Sequence, residues 1–235
     1  MISDLAKLEQ KLGINFKNKD LLKEALTHRS YLNENPSWGT HFMSPHNERL
    51  EFLGDAVLEL AVTEILFNKF FQYPEGQLTS LRAALVNYQI MAEIAKNLGF
   101  DEFILLSRGE AKDTGRARKV ILANAMEAVI GAVYLDAGYQ EAKRIIEEFI
   151  VNPNLNKVIE SGLYKDPKSH FQEIVQEKMK LTPTYQILEE WGPDHKKIFK
   201  MGVYFGDKLV AEGEGYSKQE AEIEAAKNAL KVTCF

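Results

Sequence analysis

Eight polar side chains inside two nearly apolar stretches carry the first chemical signal of this chain. One stretch is Asn47-Glu48-Arg49-Leu50-Glu51-Phe52-Leu53-Gly54-Asp55-Ala56-Val57-Leu58-Glu59, and the other is Val120-Ile121-Leu122-Ala123-Asn124-Ala125-Met126-Glu127-Ala128. At helical spacing, positions 48, 51, 55 and 59 share one side, as do 124 and 127. Carboxylates amid core residues need a partner or a metal. Glu51 and Asp55 are one turn apart and can reach the same ion, and Asn124 with Glu127 offers a second such pair. Oxygen-only ligands favour Mg²⁺, with Mn²⁺ able to substitute. Such an ion acidifies bound water and polarises a phosphoryl group, which suits phosphodiester hydrolysis. The plain alternative is a solvated acidic helix face, and Glu59 shows that surface carboxylates also land there.

The elements that must position these groups follow from periodicity. Residues 5–34 read as helix-rich, with Leu5, Leu8 and Leu12, then Leu21, Leu22, Ala25 and Leu26 at three- and four-residue steps. Residues 33–45 are polar and contain Pro36, Gly39 and Pro45, a loop pattern. The first striped helix ends near Phe71, before Tyr73-Pro74-Glu75-Gly76. Helical periodicity returns from Leu78 to Leu98. Residues 107–119 form a glycine-containing loop dense in basic groups, and helices over the second stripe and near 139–150 complete an all-helical unit. The pattern then changes. Asp166-Pro167 reads as a helix start, with Phe171, Ile174, Val175 and Met179 on its inner face. Strands are expected through Tyr185 and Ile187, over 198–205, and around 209–211 after the Gly206-Asp207 turn. Ser217-Lys218-Gln219-Glu220 is a capping box opening an alanine-rich helix.

Composition sets limits. The chain has 235 residues and a net charge of −5, so bulk positive charge is not its route to nucleic acid. Neither part is basic: 18 basic face 22 acidic residues up to position 160, and 11 face 12 beyond it. The apolar run 120–135 is interrupted by Asn124 and Glu127 and falls short of the roughly 20 residues of a membrane span, so no membrane partner is expected. Met1-Ile2-Ser3-Asp4 shows no secretory pattern, and the single cysteine, Cys234, can form no internal disulfide. A cytoplasmic location is the expectation.

The run Asn47-Glu48-Arg49-Leu50-Glu51-Phe52-Leu53-Gly54-Asp55-Ala56 resembles the hallmark of the ribonuclease III family. Thr27-His28-Arg29-Ser30-Tyr31, Gly109…Gly115-Arg116 and Glu127-Ala128…Gly131-Ala132 match the same domain in order. Residues 165–235 are similar to the double-stranded RNA-binding domain that follows it in bacterial members. The resemblance implies an α+β chain: an all-α endonuclease domain over 1–160, a linker over 161–165, and an α-β-β-β-α domain over 166–235. It further implies a Mg²⁺-dependent homodimer that cuts double-stranded RNA to 5′-phosphate and 3′-hydroxyl ends. The substrates implied are ribosomal RNA precursors and some messenger and transfer RNA precursors.

Carried over by position, Glu51, Asp55, Asn124 and Glu127 hold the metal, with Asp55 and Glu127 the indispensable catalytic acids. Glu48 and Glu75 line the cleavage valley, and Phe52 contacts the partner subunit, with simple core packing as its alternative. In the small domain Gln172 and Glu173 enter one minor groove, Pro193 and His195 the next, and Lys218 seats a phosphate. Asn124 departs from the usual aspartate. Its carbonyl can ligate Mg²⁺ but brings no charge, so weaker metal affinity is expected. A dimeric RNA-binding protein that cuts weakly or not at all is the alternative. Since no arginine follows Arg144, phosphate contacts in the small domain rest on Lys168, Lys196, Lys197 and Lys218, and salt-sensitive binding is expected. His28 reads as a hydrogen-bonded structural histidine, Gly54 as a site of close helix approach, and Arg116-Arg118-Lys119 as either an RNA contact or a solvated cluster.

Overall fold

The computed structural model describes residues 5–38, 40, 44–161, 167–193 and 197–233. The chain divides into two compact units, Met1–Tyr164 and Lys165–Phe235.

Among the described residues, the regular elements of the first unit are helices, apart from an isolated Thr27–Leu105 β-bridge. In order come α1 (Leu5–Leu12), α2 (Lys19–Ala25), a 3₁₀ turn (Arg29–Asn33), α3 (Glu48–Lys69), α4 (Glu75–Leu85), α5 (Tyr88–Asn97), α6 (Arg116–Ala137), α7 (Tyr139–Ile146) and α8 (Asn152–Ser161). Helix α6 lies at the centre, touching α2, α3, α5 and α7. That position explains why it is apolar nearly all round. Although its 22 residues are long and apolar enough to cross a membrane, its side chains from Ile121 to Val133 are mostly buried in the core of this unit.

Helices α3 and α6 cross at glycines. A Cβ on Gly54 would lie 1.8 Å from the Glu127 carbonyl oxygen, and one on Gly131 would lie 2.3 Å from that of Leu50. Each helix therefore needs a bare backbone where the other passes. Around the crossing Leu50, Leu58, Val62, Met126, Val129 and Ile130 are buried, each worth about 2 kcal/mol over exposure.

Two expectations for this unit need correction. The periodic run 78–98 is two helices, because Asn87 adopts an extended conformation and its side chain accepts from Ile90 N. An N-cap hydrogen bond there restarts the helix. The segment near 139–150 does not stop at 150 either: a π-helical turn (Glu147–Val151) joins α7 to α8. A tertiary anchor fixes α7, since Tyr139 Oη and Lys143 Nζ both donate at 2.6 Å to Glu64 of α3.

The second unit runs α9 (Pro167–Met179), β1 (Thr184–Trp191), β2 (Ile198–Phe205), β3 (Lys208–Gly215) and α10 (Lys218–Val232). The strands form one antiparallel sheet in the order β1-β2-β3. Gly206, at φ +59°, makes the β2–β3 turn. Phe171 and Val175 of α9, Val203 of β2, and Ala225, Ala226 and Ala229 of α10 form the core. Small residues are required on α10, since a Cβ on Gly213 of β3 would lie 2.1 Å from Ala225 N. The capping box forms: Glu220 N donates to Ser217 Oγ, while Glu220 Oε2 accepts from Tyr216 N rather than from Ser217 N. Met179 does not belong to the inner face of α9, being 43% exposed at the end of the helix. Asp166 and Cys234 lie outside the described residues.

Candidate active site

The glycine crossing sets the site. Gly54 lies between Glu51 and Asp55 on α3, and its contact on α6 is the backbone of Glu127 itself. The crossing thereby sets Glu51 and Asp55 of α3 within electrostatic reach of Asn124 and Glu127 of α6. Glu51 is hydrogen-bonded to Asn124, and as the carboxylate can only accept, the Asn124 amide donates. Glu51 also feels the charges of Asp55 and Glu48, and Glu127 feels those of Asp55 and Glu51. Glu51, Asn124 and Glu127 are half-buried, and Asp55 is exposed.

Electrostatics mark the group as short of positive charge. Burial first, then the neighbouring charges of Asp55 and Glu51, push the Glu127 carboxyl up to about 7. Burial also raises Glu51, partly offset by the Asn124 hydrogen bond. The donor set is all oxygen, which fits a hard divalent ion of the Mg²⁺ kind. Among the described residues no three His, Cys, Asp or Glu side chains converge into a ready ion cage. Mg²⁺, which takes few direct protein ligands and keeps several waters, does not need one.

The remaining acids differ. Glu48, exposed, faces Arg29 Nη1 at 3.5 Å and His46 Nδ1 at 3.9 Å. Glu75 opens α4 and accepts from Thr79 Oγ1 at 3.0 Å; no described contact brings it to the other four. Glu59 is bound to Arg82 Nε at 2.7 Å, a structural pair linking α3 to α4. His28 Nδ1 lies 2.8 Å from Ser30 Oγ and caps the 3₁₀ turn, with its pKa lowered chiefly by burial. A neutral, hydrogen-bonded ring follows. The basic loop cluster splits: Arg118 is held by Asp101 at 2.7 Å with its side chain 15% exposed, whereas Arg116 and Lys119 are exposed. Phe52, 82% exposed, does not pack into its own core. It borders a cavity of about 520 Å³ lined also by Leu21, Glu24, Leu50, Leu53 and Leu135.

In the small unit Gln172 and Glu173 are exposed on α9, Pro193 is exposed after β1, and Lys218 is exposed at the first position of α10. His195 and Lys196 lie outside the described residues. Two of the lysines are already engaged: Lys168 by Glu222 at 2.7 Å and Lys197 by Glu190 at 3.0 Å. Lys218 has no ion pair among the described residues and lies 5.9 Å from the Phe199 ring centroid. Sequence reading has no signal for these pairs, nor for the role of Arg29, because each partner comes from a different element.

Comparison with known proteins agrees with this architecture. Residues 18–154 match the ribonuclease-III-like family, and residues 167–232 match the double-stranded RNA binding motif. A protein named ribonuclease 3 from Carboxydothermus hydrogenoformans is 47% identical over 233 residues, covering 97% of this chain and 95% of its own. Ribonuclease 3 from Nitratiruptor sp. is 42% identical over 232 residues, covering 98% and 97%. A crystal structure of the nuclease domain of ribonuclease III from Campylobacter jejuni superposes with a TM-score of 0.54 at 47% identity, covering 63% of this chain and 96% of that one. A second structure of that domain, with a flexible region involved in its dimer formation, matches at the same score. Fold, site and these matches define a double-strand-specific endoribonuclease with an attached RNA-binding domain. Its helical unit carries the nuclease and its α-β-β-β-α unit binds double-stranded RNA. The chain belongs to the ribonuclease III family.

Proposed function

We propose that this enzyme cuts double-stranded RNA as a Mg²⁺-dependent homodimer, with Mn²⁺ able to substitute, leaving 5′-phosphate and 3′-hydroxyl ends. The observation that supports the reading is the close α3–α6 crossing at Gly54, which puts Glu51 and Asp55 near enough to Glu127 for their charges to help raise it to about 7. These four would hold the ion, with Asp55 and Glu127 as the catalytic acids. When bound, the cation supplies the charge that polarises the phosphoryl oxygens and acidifies water. The chain's own part would be to offer three carboxylates from neighbouring stretches of two rigid helices. Asn124 holds Glu51 in place by its amide hydrogen bond and leaves its carbonyl oxygen for the ion. Glu127, raised by burial and the neighbouring carboxylates, would give up its proton on taking hold of the cation.

Glu48 and Glu75 would border the RNA valley, and Phe52 would enter the cavity of a second copy. In the small domain Gln172, Glu173, Pro193, His195 and Lys218 would contact RNA by shape and backbone. Ribosomal RNA precursors, with some messenger and transfer RNA precursors, are the substrates proposed, which places the enzyme in the cytoplasm. Asn124 favours one other reading, a dimeric RNA binder with weakened or lost cleavage. Incubating the purified chain with an end-labelled RNA duplex, with and without Mg²⁺ or Mn²⁺, decides between them. Metal-dependent cuts with 5′-phosphate ends support the first, and binding without cleavage at every metal concentration supports the second.

A further inference from the structure

One cavity of the nuclease unit has no role in the account above. It measures about 840 Å³, and its lining includes His28, Arg29, His46, Glu110, Arg116 and Val120. Two arginines reach it from separate elements: Arg29 from the 3₁₀ turn after α2, and Arg116 from the first turn of α6. Arg116 has no ion pair among the described residues. Arg29 is 70% exposed at its side chain, 3.5 Å from Glu48. On α6, Val120 is one turn before Asn124, about 6 Å along the axis. Val120 and Asn124 share one face of α6, so the cavity and the acid site adjoin along that helix.

We infer that this cavity is a subsite for the RNA backbone beside the cut bond, with Arg29 and Arg116 binding a phosphodiester and Glu48 positioning Arg29. The inference rests on the nuclease reading proposed above. Glu48 stands between two basic groups, one oxygen toward Arg29 Nη1 and the other toward His46 Nδ1. An exposed pair of this kind adds little stability. Its effect is to hold the guanidinium at the cavity mouth, where a planar fork can grip a phosphate. His28 lines the same wall with its pKa lowered by burial, so Arg29 and Arg116 supply the positive charge, against Glu110 alone in the lining. Glu48 is thus a positioning residue, separate from the four that face the ion.

The test uses the full chain and a perfect RNA duplex in EDTA, so that binding is read without cleavage. Arg116→Ala and Arg29→Ala should each weaken binding on the order of tenfold and make the slope of log Kd against log salt shallower by about one. Arg29→Lys keeps the charge but not the fork, so it should restore the salt slope and only part of the affinity. Glu48→Gln supplies the discriminating sign. If Glu48 merely lies near RNA, removing its charge tightens binding; if it positions Arg29, the same change weakens binding, and has no effect in an Arg29→Ala background. Unchanged melting temperatures confirm that each variant is folded. Tighter binding by Glu48→Gln, or unchanged affinity and slope in the Arg29→Ala/Arg116→Ala double variant, overturns the inference. A wild-type chain that neither binds nor cuts the duplex overturns the nuclease reading instead.

Discussion

Replacing Glu127 by glutamine should stabilise the metal-free enzyme while abolishing its response to metal. In the folded chain the Glu127 carboxyl titrates near 7 against an ordinary value of 4.5. The folded state thus keeps a proton that the unfolded state releases between those values. Stability contributed by this group falls as pH rises through that window, and the full penalty is present above it. Each pH unit of displacement is worth about 1.4 kcal/mol, giving about 3 kcal/mol at pH 8. Glutamine keeps the shape and removes the charge, and relieves Glu51 of one repulsion as well. In EDTA at pH 8, Glu127→Gln should therefore be more stable than wild type by about that amount, with the gap narrowing steadily by pH 5. Mg²⁺ at about 1,000 times its Kd should reverse the order, since that adds about 4.1 kcal/mol to the form that binds it. Urea unfolding can be followed at Trp38, whose Nε1 donates to Thr27 Oγ1 and whose ring meets Tyr31 edge-on. Trp191 is the only other tryptophan, so a Trp191→Phe background isolates the nuclease unit. Equal stability at pH 8 in EDTA, or a gap as wide at pH 5 as at pH 8, refutes the reasoning.

Other perturbations test neighbouring parts of the account. Asn124→Asp exchanges an amide donor for a fourth carboxylate, so the metal-free protein should lose stability while the Mg²⁺ concentration for half-maximal cutting falls; no change in that midpoint removes Asn124 from the ion's surroundings. Gly54→Ala places a methyl group 1.8 Å from a backbone oxygen, and should cost more than about 3 kcal/mol in thermal unfolding, together with loss of the Mg²⁺ response. A fully active Gly54→Ala enzyme would contradict the close crossing. Phe52→Ala removes an exposed side chain, so helicity should hold while sedimentation velocity shows a shift from dimer to monomer. A dimer unaffected by that substitution would return Phe52 to the ordinary surface.

Much of the architecture was legible in the residue pattern because local physics decides it. Leucines at three- and four-residue steps specify α1 and α2, the alternation over 198–205 marks β2, and Ser217 with Glu220 starts α10 by its own hydrogen bonds. Acids embedded in apolar helices announced a charged site, since burial without a partner is unfavourable wherever the helices pack. Local pattern failed at Asn87, where a single side-chain cap splits a continuous periodic run, and at α8, which follows α7 through a π turn.

By itself, then, the sequence determined which residues form helices and strands, and which acids are too apolar in their surroundings to be ordinary surface groups. Only the tertiary structure decided that Gly54 meets the Glu127 backbone and so brings two stripes 70 residues apart to one place. The same packing assigned Arg118 to Asp101, Glu59 to Arg82 and Glu48 to Arg29. Those pairings depend on where separate helices pass in space. Periodicity fixes the face on which a side chain lies, but the partner across that face is chosen by the packing of another element.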